Sequence, residues 1–317
     1  MKPCYIGFDT SNYTTSAAAC TADGRVIANC KVPLPVAKGQ RGLRQSDAVF
    51  AHVKNLPTVC RELAATIEGY TPVAVGVSAT PRDAEGSYMP CFLAGKAAAH
   101  AFAADRALPV YECSHQNGHI MAAAYSSGHA EQLFSAPFFS FHVSGGTTEL
   151  LLVTPTEDGF SVMLVGETDD INAGQAIDRV GVAMGLAFPC GKAMEALATA
   201  YEGKILRHPV TVRDGRCSLS GAENIARKLY CETGDAKAAA AFVFDFVART
   251  LVAMGEHAIA TYGTHPVLFA GGVMSNVWMR DLLRKHFDAY FSEPAFSADN
   301  AAGVALLCCK RAMKENV

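Results

Sequence analysis

Two stretches far apart in the chain share one plan, and that repetition constrains the fold more than any other feature. Residues 5–20 read YIGFDTSNYTTSAAAC, and residues 138–153 read FFSFHVSGGTTELLLV. Each is an apolar run, a tight turn of small hydroxyl and glycine residues, and a second apolar run. The pattern predicts a β-hairpin whose turn is crowded with backbone N–H groups and hydroxyls. Such turns also form anion-binding nests. One hairpin of this kind is ordinary. The same hairpin near the start of both halves predicts two related domains, each offering a turn to a shared ligand. The expected domains are 1–130 and 131–317, with the join near 125–135, because no low-complexity linker separates the halves.

The remaining pattern alternates helix and strand. Helices are expected over 46–69, with Pro57 as an irregularity, and over the alanine-rich 94–107. Short strands are expected over 71–80 and 109–114. The run AGQAIDRVGVAMGL (173–186) has helical spacing and a stop at AFPCGK. Asp214-Gly215 is a hairpin signal inside 211–221. Residues 236–262 read as a long apolar helix. PVLFAGGVMSN (266–276) reads as a buried strand, a glycine turn and the start of a further helix. The tail 297–313 reads as a turn with a helix start.

Half of the 317 residues are hydrophobic and 18% are charged, so a large core is expected and disorder is not. Net charge is -3 with no run of lysine or arginine, which does not advertise a nucleic-acid partner. The eleven cysteines include no C-x-x-C, and their count is odd. Reduced thiols in a cytoplasmic protein are therefore expected, not a disulfide framework. No signal peptide and no apolar run of about 20 residues is read from the sequence, so no membrane association is expected.

Candidate chemistry is concentrated in a few places. His115 and His119 lie four residues apart in CSHQNGHIMAAAY (113–125), on one face if the stretch is helical. Two imidazoles so placed can share a metal ion, or can simply be solvated at a helix end. Gly118 between them costs helix stability of about 1 kcal/mol relative to alanine. Asp299 in FSADNAAG is an ordinary N-cap, or a hard oxygen ligand that joins the histidines to suit iron(II), zinc or manganese. Asp178 is a lone carboxylate on an otherwise apolar helix and needs a partner such as ligand hydroxyls. The paired glycines Gly271 and Gly272 precede a helix start at Asn276 and would let a flat or charged ligand approach. A zinc peptidase would need a glutamate directly after the first histidine, and Gln116 stands there.

Taken in order, the hairpin turn, HQNGH, HVSGGTTEL, GETDDINAGQAIDRVGVAMGLAFPCG, SLSG, AGGVMSN and ADNAAG resemble the TsaD/Gcp family, once called O-sialoglycoprotein endopeptidase. The resemblance runs from about residue 4 to 309. It implies an α/β chain of the actin-like ATPase fold: two ribonuclease-H-like domains with a nucleotide cleft between them. It implies transfer of a threonylcarbamoyl group from its adenylate to an adenosine of tRNA, with partner proteins and a bound iron or zinc ion. Position by position, it implies His115, His119 and Asp299 as metal ligands. It implies Asp9, Ser144, Gly145, Gly146, Asp178, Gly191, Gly271, Gly272 and Asn276 as the nucleotide site, for ATP or an acyl-adenylate.

The chain departs from the family pattern near the transferred group. The hairpin usually reads Thr-Ser-Cys-Asp-Glu-Thr; here it is Thr10-Ser11-Asn12-Tyr13-Thr14-Thr15, without the acidic pair. Pro81, Arg82 and Asp83 replace a Gly-Pro-Gly loop, Thr147 replaces a histidine, and Cys190 replaces a glycine. The expectation is a divergent paralogue that keeps metal and nucleotide and acts on tRNA or another acceptor. The alternatives are a non-catalytic nucleotide-binding partner and, less favoured, a metallopeptidase or a small-molecule kinase.

Overall fold

In the computed structural model, which describes residues 1–11, 13–35, 43–297 and 301–315, the first expected hairpin pairs β1 (Lys2–Thr10) antiparallel with β2 (Thr14–Thr21). β3 (Val26–Pro33) continues the antiparallel edge. The chain then runs through α1 (Gln45–Thr66), β4 (Tyr70–Thr80), α2 (Phe92–Ala104), β5 (Val110–Ser114) and α3 (His115–Ser126). The sheet order is β3-β2-β1-β4-β5, with β4 parallel to both β1 and β5. Period-two alternation sorts β1. Cys4, Ile6 and Phe8 enter one core with Val59 and Leu63 of α1 and Ala99 and Ala103 of α2. Gly7 and Asp9 belong to the opposite face.

That opposite face is covered by α10 (Ala302–Glu315). Gly7 and Gly76 are partners in the β1–β4 register and leave a shallow groove. A Cβ on Gly7 would lie 2.4 Å from the Ala305 nitrogen, and one on Gly76 would lie 2.8 Å from the Cys308 Cβ. The helix therefore sits directly on bare backbone. Its neighbour on this face is α3, and the two cross where Gly303 meets Gly118: a Cβ on Gly303 would stand 1.8 Å from the Gly118 carbonyl oxygen. The helix-weakening glycine between the two histidines is thus the point of closest approach between helices.

The second unit repeats the plan. After α4 (Ala130–Leu133), β6 (Phe138–Val143) pairs antiparallel with β7 (Thr148–Pro155), and β8 (Phe160–Thr168) follows. Next come α5 (Ala173–Ala183), α6 (Gly191–Thr199), β9 (Val212–Arg213), β10 (Arg216–Cys217), α7 (Ser220–Thr233) and α8 (Ala236–Tyr262). The chain continues through β11 (Val267–Ala270), α9 (Val277–Leu283) and β12 (Ala289–Phe291). The order β12-β11-β6-β7-β8 matches the first sheet strand for strand, with β11 parallel to β6 and to β12, and β10 and β9 extend it. The expected Asp-Gly hairpin is present, with φ of 51° at Asp214 and 75° at Gly215. α5 stops at Ala183, short of the expected 186. Gly185 adopts φ 84°, and the Leu186 and Gly185 N–H groups bond back to the carbonyls of Gly181 and Val182 in a Schellman closure.

Two expectations are corrected. The units are 1–128 with 155–161 and 295–317, and 129–154 with 162–294, so the C-terminal helix belongs with the first unit and not with an unbroken 131–317. The physical reason is the glycine groove above, which α10 fills. The sequence reading also found no apolar run long enough for a membrane, yet α8 is long and apolar enough. Its Phe242, Val243, Phe244, Val247 and Leu251 are buried in the second unit's core, against Phe139, Phe141 and Phe269. It is a core helix.

Candidate functional site

In the first unit, the histidine pair lies where β1 ends and α3 begins. Ser114, the last residue of β5, caps α3: its hydroxyl accepts the Asn117 N–H at 3.2 Å. This sets His115 in the first turn and His119 one turn later, with ring centroids 4.3 Å apart at 82°. Asp9, only 1% exposed, meets them from the α10 face of β1. The His115 Nδ1–H donates to Asp9 Oδ2 at 2.6 Å, and the Ser11 N–H donates to Asp9 Oδ1 at 2.8 Å. A carboxylate so deeply buried is retained because both oxygens are bonded. Thr10, next along, is fixed to α2: its hydroxyl accepts the Gly95 N–H at 2.9 Å and donates to the Cys91 carbonyl at 3.0 Å.

The loop at 81–90, which departs from the family pattern, also converges here. Its Pro81 carbonyl accepts the Gln116 N–H at 3.1 Å. Asp83 Oδ2 accepts the Ser114 hydroxyl at 3.0 Å and the Asn117 side-chain amide. Asn117 in turn clasps the Phe160 backbone, accepting its N–H at 2.8 Å and donating to its carbonyl at 3.2 Å. Asp83, Ser114 and Asn117 thereby lock the helix end that carries His115. The sequence offered a signal only for Ser114, as a hydroxyl just before a helical run.

The donor set fits a borderline divalent ion. Two imidazoles adjoin on one helix, and one is already hydrogen-bonded to a carboxylate, the usual surroundings of a metal-ligating histidine. The third expected ligand, Asp299, lies outside the described residues, as do Asn12 and Asn300. Among the described residues no group of three or more His, Cys, Asp or Glu side chains is arranged to hold a metal.

The second unit gathers most of the other expected positions. The β6–β7 turn is closed by the Ser144 N–H donating to the Thr147 carbonyl at 2.7 Å. The Ser144 hydroxyl accepts the N–H groups of Gly146 at 3.2 Å and Thr147 at 3.0 Å. Gly145 and Gly146 are exposed, with open space where side chains would stand. α5 abuts this turn through Gly174, whose N–H donates to the Ser144 carbonyl at 3.1 Å. Gly271, at the end of β11, needs to be glycine twice over: φ is 98°, and a Cβ would meet the Val143 carbonyl oxygen at 2.3 Å. Asn276 is the N-cap of α9, with Oδ1 accepting the Met279 N–H at 2.8 Å. Gly191 and Gly272 are open to solvent.

Asp178 finds its partner inside the unit: Oδ1 accepts the Cys190 N–H at 2.7 Å. Cys190, where the family pattern has glycine, turns inward. It is fully buried and packs into the notch left by Gly181, where a Cβ would lie 2.4 Å from its own. The departure therefore adds nothing to the exposed side of the turn. Burial raises the Asp178 carboxyl above its ordinary range, and the Cys190 N–H offsets this only in part. A carboxyl raised on folding destabilises the fold once charged. The cost is absent below the ordinary carboxylate pKa and develops as pH climbs to the raised value. Asp178→Asn keeps the acceptor and removes the charge. It is expected to melt no lower than wild type at neutral pH, and to lose any advantage well below the carboxylate range. A lower melting temperature at neutral pH contradicts this.

The sequence-family profile described as tRNA N6-adenosine threonylcarbamoyltransferase, TsaD, matches residues 37–306. The chain belongs to the TsaD family. It is 29% identical over 330 residues to the tRNA N6-adenosine threonylcarbamoyltransferase of Streptococcus suis strain 05ZYH33, covering 98% of this chain and 93% of that one. It is 28% identical over 333 residues to the protein of the same name from Streptococcus pneumoniae strain Taiwan19F-14, covering 100% and 95%. Among solved structures it resembles the (R)-2-hydroxyglutaryl-CoA dehydratase component A of Acidaminococcus fermentans, with a TM-score of 0.55, 11% identity and coverage of 98% and 100%. It also resembles the activator of the 2-hydroxyisocaproyl-CoA dehydratase from Clostridium difficile, with a TM-score of 0.54, 10% identity and coverage of 99% and 98%. These likenesses are of fold. This TsaD-family chain has the actin-like ATPase fold, as its twin sheets already indicated.

Proposed function

We propose that this chain is a metal-dependent acyl transferase that moves a threonylcarbamoyl group from its adenylate to an adenosine of tRNA, in the cytoplasm and with partner proteins. The observation that carries the reading is a site that fits the family's chemistry: paired histidines on α3, with His115 held by a buried carboxylate. A divalent iron or zinc ion would be held by His115 and His119, with Asp299 as third ligand, and would supply positive charge beside the departing acyl group.

The chain's own residues do the rest. Asp9 and the 81–90 loop hold the helix that presents the histidines. The Ser144–Thr147 turn, with Gly145 and Gly146 exposed and bare of side chains, would let an anionic ligand such as a nucleotide phosphate approach the backbone. Asp178, with Oδ1 committed to Cys190, directs Oδ2 to ribose hydroxyls, whose hydrogen bonds would relieve its unfavourable burial. Gly191, Gly271, Gly272 and Asn276 let the nucleoside approach the backbone.

The test is transfer itself. Purified protein is supplied with its partner proteins, ferrous or zinc ion, threonylcarbamoyl-adenylate and unmodified tRNA, and the nucleosides are read by mass spectrometry. The expected result is threonylcarbamoyl-adenosine that depends on this chain. Consumption of the adenylate with no modified nucleoside contradicts tRNA as the acceptor, and no consumption at all contradicts the transferase.

A further inference from the structure

We infer that Asp9 is a positioning residue that fixes the proton of His115 on Nδ1 and thereby reserves Nε2 for the metal. The inference deepens the proposed function and rests on its metal at His115. The geometry is asymmetric. Asp9 Oδ1 accepts the Ser11 N–H, so the carboxylate plane is held from one side. Oδ2 faces His115 Nδ1 at 2.6 Å. A carboxylate only accepts, so the ring nitrogen facing it must carry the proton. In the neutral ring the other nitrogen, Nε2, is then the lone-pair donor that a cation needs.

Two further contacts keep the ring from turning out of this arrangement. Phe92 lies 6.0 Å from it, centroid to centroid, and His119 packs edge-on. The Asp83–Ser114–Asn117 bonds hold the backbone beneath it. Asp9 also reaches His115 across 106 residues of sequence through a strand face that α10 seals. It is therefore oriented by the core of its unit, and it is not merely a neighbour on a loop.

The consequence is unusual for a conservative change. In Asp9→Asn the amide oxygen takes the Oδ1 place, since only an acceptor can meet the Ser11 N–H. The amide NH2 then falls where Oδ2 was and donates to His115 Nδ1. The proton of the neutral ring must move to Nε2, which can no longer bind a cation without losing it.

The experiment uses full-length, metal-free protein labelled with 15N in its histidines, at a pH alkaline enough to leave the rings neutral. Long-range 1H–15N correlations report which nitrogen of His115 is protonated, with the assignment made from His115→Ala. The expected result is Nδ1–H in wild type and Nε2–H in Asp9→Asn. Zn2+ affinity, measured by competition with a chromophoric chelator, should fall by about 10- to 100-fold in the variant. Nε2–H in wild type overturns the inference even if the variant does not fold. So does an Asp9→Asn protein that binds Zn2+ as tightly as wild type. His115→Ala binding Zn2+ with wild-type affinity would instead sink the metal reading, while an Asp9-dependent tautomer would still stand, so the two failures are distinguishable.

Discussion

Gly303→Ala is expected to lower the melting temperature by about 10 °C, equivalent to about 3 kcal/mol for a unit of this size. The added Cβ would fall 1.8 Å from the Gly118 carbonyl oxygen, 2.8 Å from its carbon and 2.9 Å from the Ala122 nitrogen. All three are backbone atoms of α3, so no side chain can swing aside. Either α10 lifts from the groove over Gly7 and Gly76, or α3 shifts with its histidines. Gly221→Ala is the matched control. It also lies in a helix, but a Cβ there meets nothing within 4 Å, so it should leave stability unchanged or raise it by up to about 1 kcal/mol. Differential scanning calorimetry separates the two. Equal melting temperatures for wild type and Gly303→Ala would mean that the helices do not cross at these residues.

His115→Ala is expected to slow threonylcarbamoyl transfer by about two to three orders of magnitude, the usual loss when a group stabilising transition-state charge is removed. Binding of adenine nucleotide should be much less affected. Apart from Asp9, the residues assigned to it (Ser144, Gly145, Gly146, Asp178, Gly191, Gly271, Gly272 and Asn276) belong to the second unit, and His115 belongs to the first. Single-turnover transfer and nucleotide calorimetry on the same preparation measure both. A variant that transfers at the wild-type rate, or that loses transfer and nucleotide binding equally, would contradict this division of roles.

The twin hairpins were legible because turn chemistry and apolar runs act locally, and both sheets are organised around them. The third strands, β3 and β8, were not read. β8 turns Met163 and Leu164 outward at 45% and 40% exposure, which blurs the alternation that marks a half-buried strand. α7 was missed for a different reason: its start is set by Asp170, which accepts the Leu219 and Ser220 N–H groups from 50 residues upstream. The histidine pair stood out by spacing, but its carboxylate partner did not. The parity of β1 places Asp9 opposite Phe8, yet nothing local says that α3 begins there. The return of α10 to the first unit is likewise a long-range fit of glycine to backbone. Gly118 read as a local cost, and only the packing of Gly303 against it supplies the compensating contact.

The central claim is that His115 and His119 hold a divalent ion. Elemental analysis of wild type and His115→Ala, each purified without chelator and then equilibrated with ferrous or zinc ion, tests it most directly. The account predicts about one tightly held ion per wild-type chain and close to none in the variant. Equal metal content in the two proteins would contradict it.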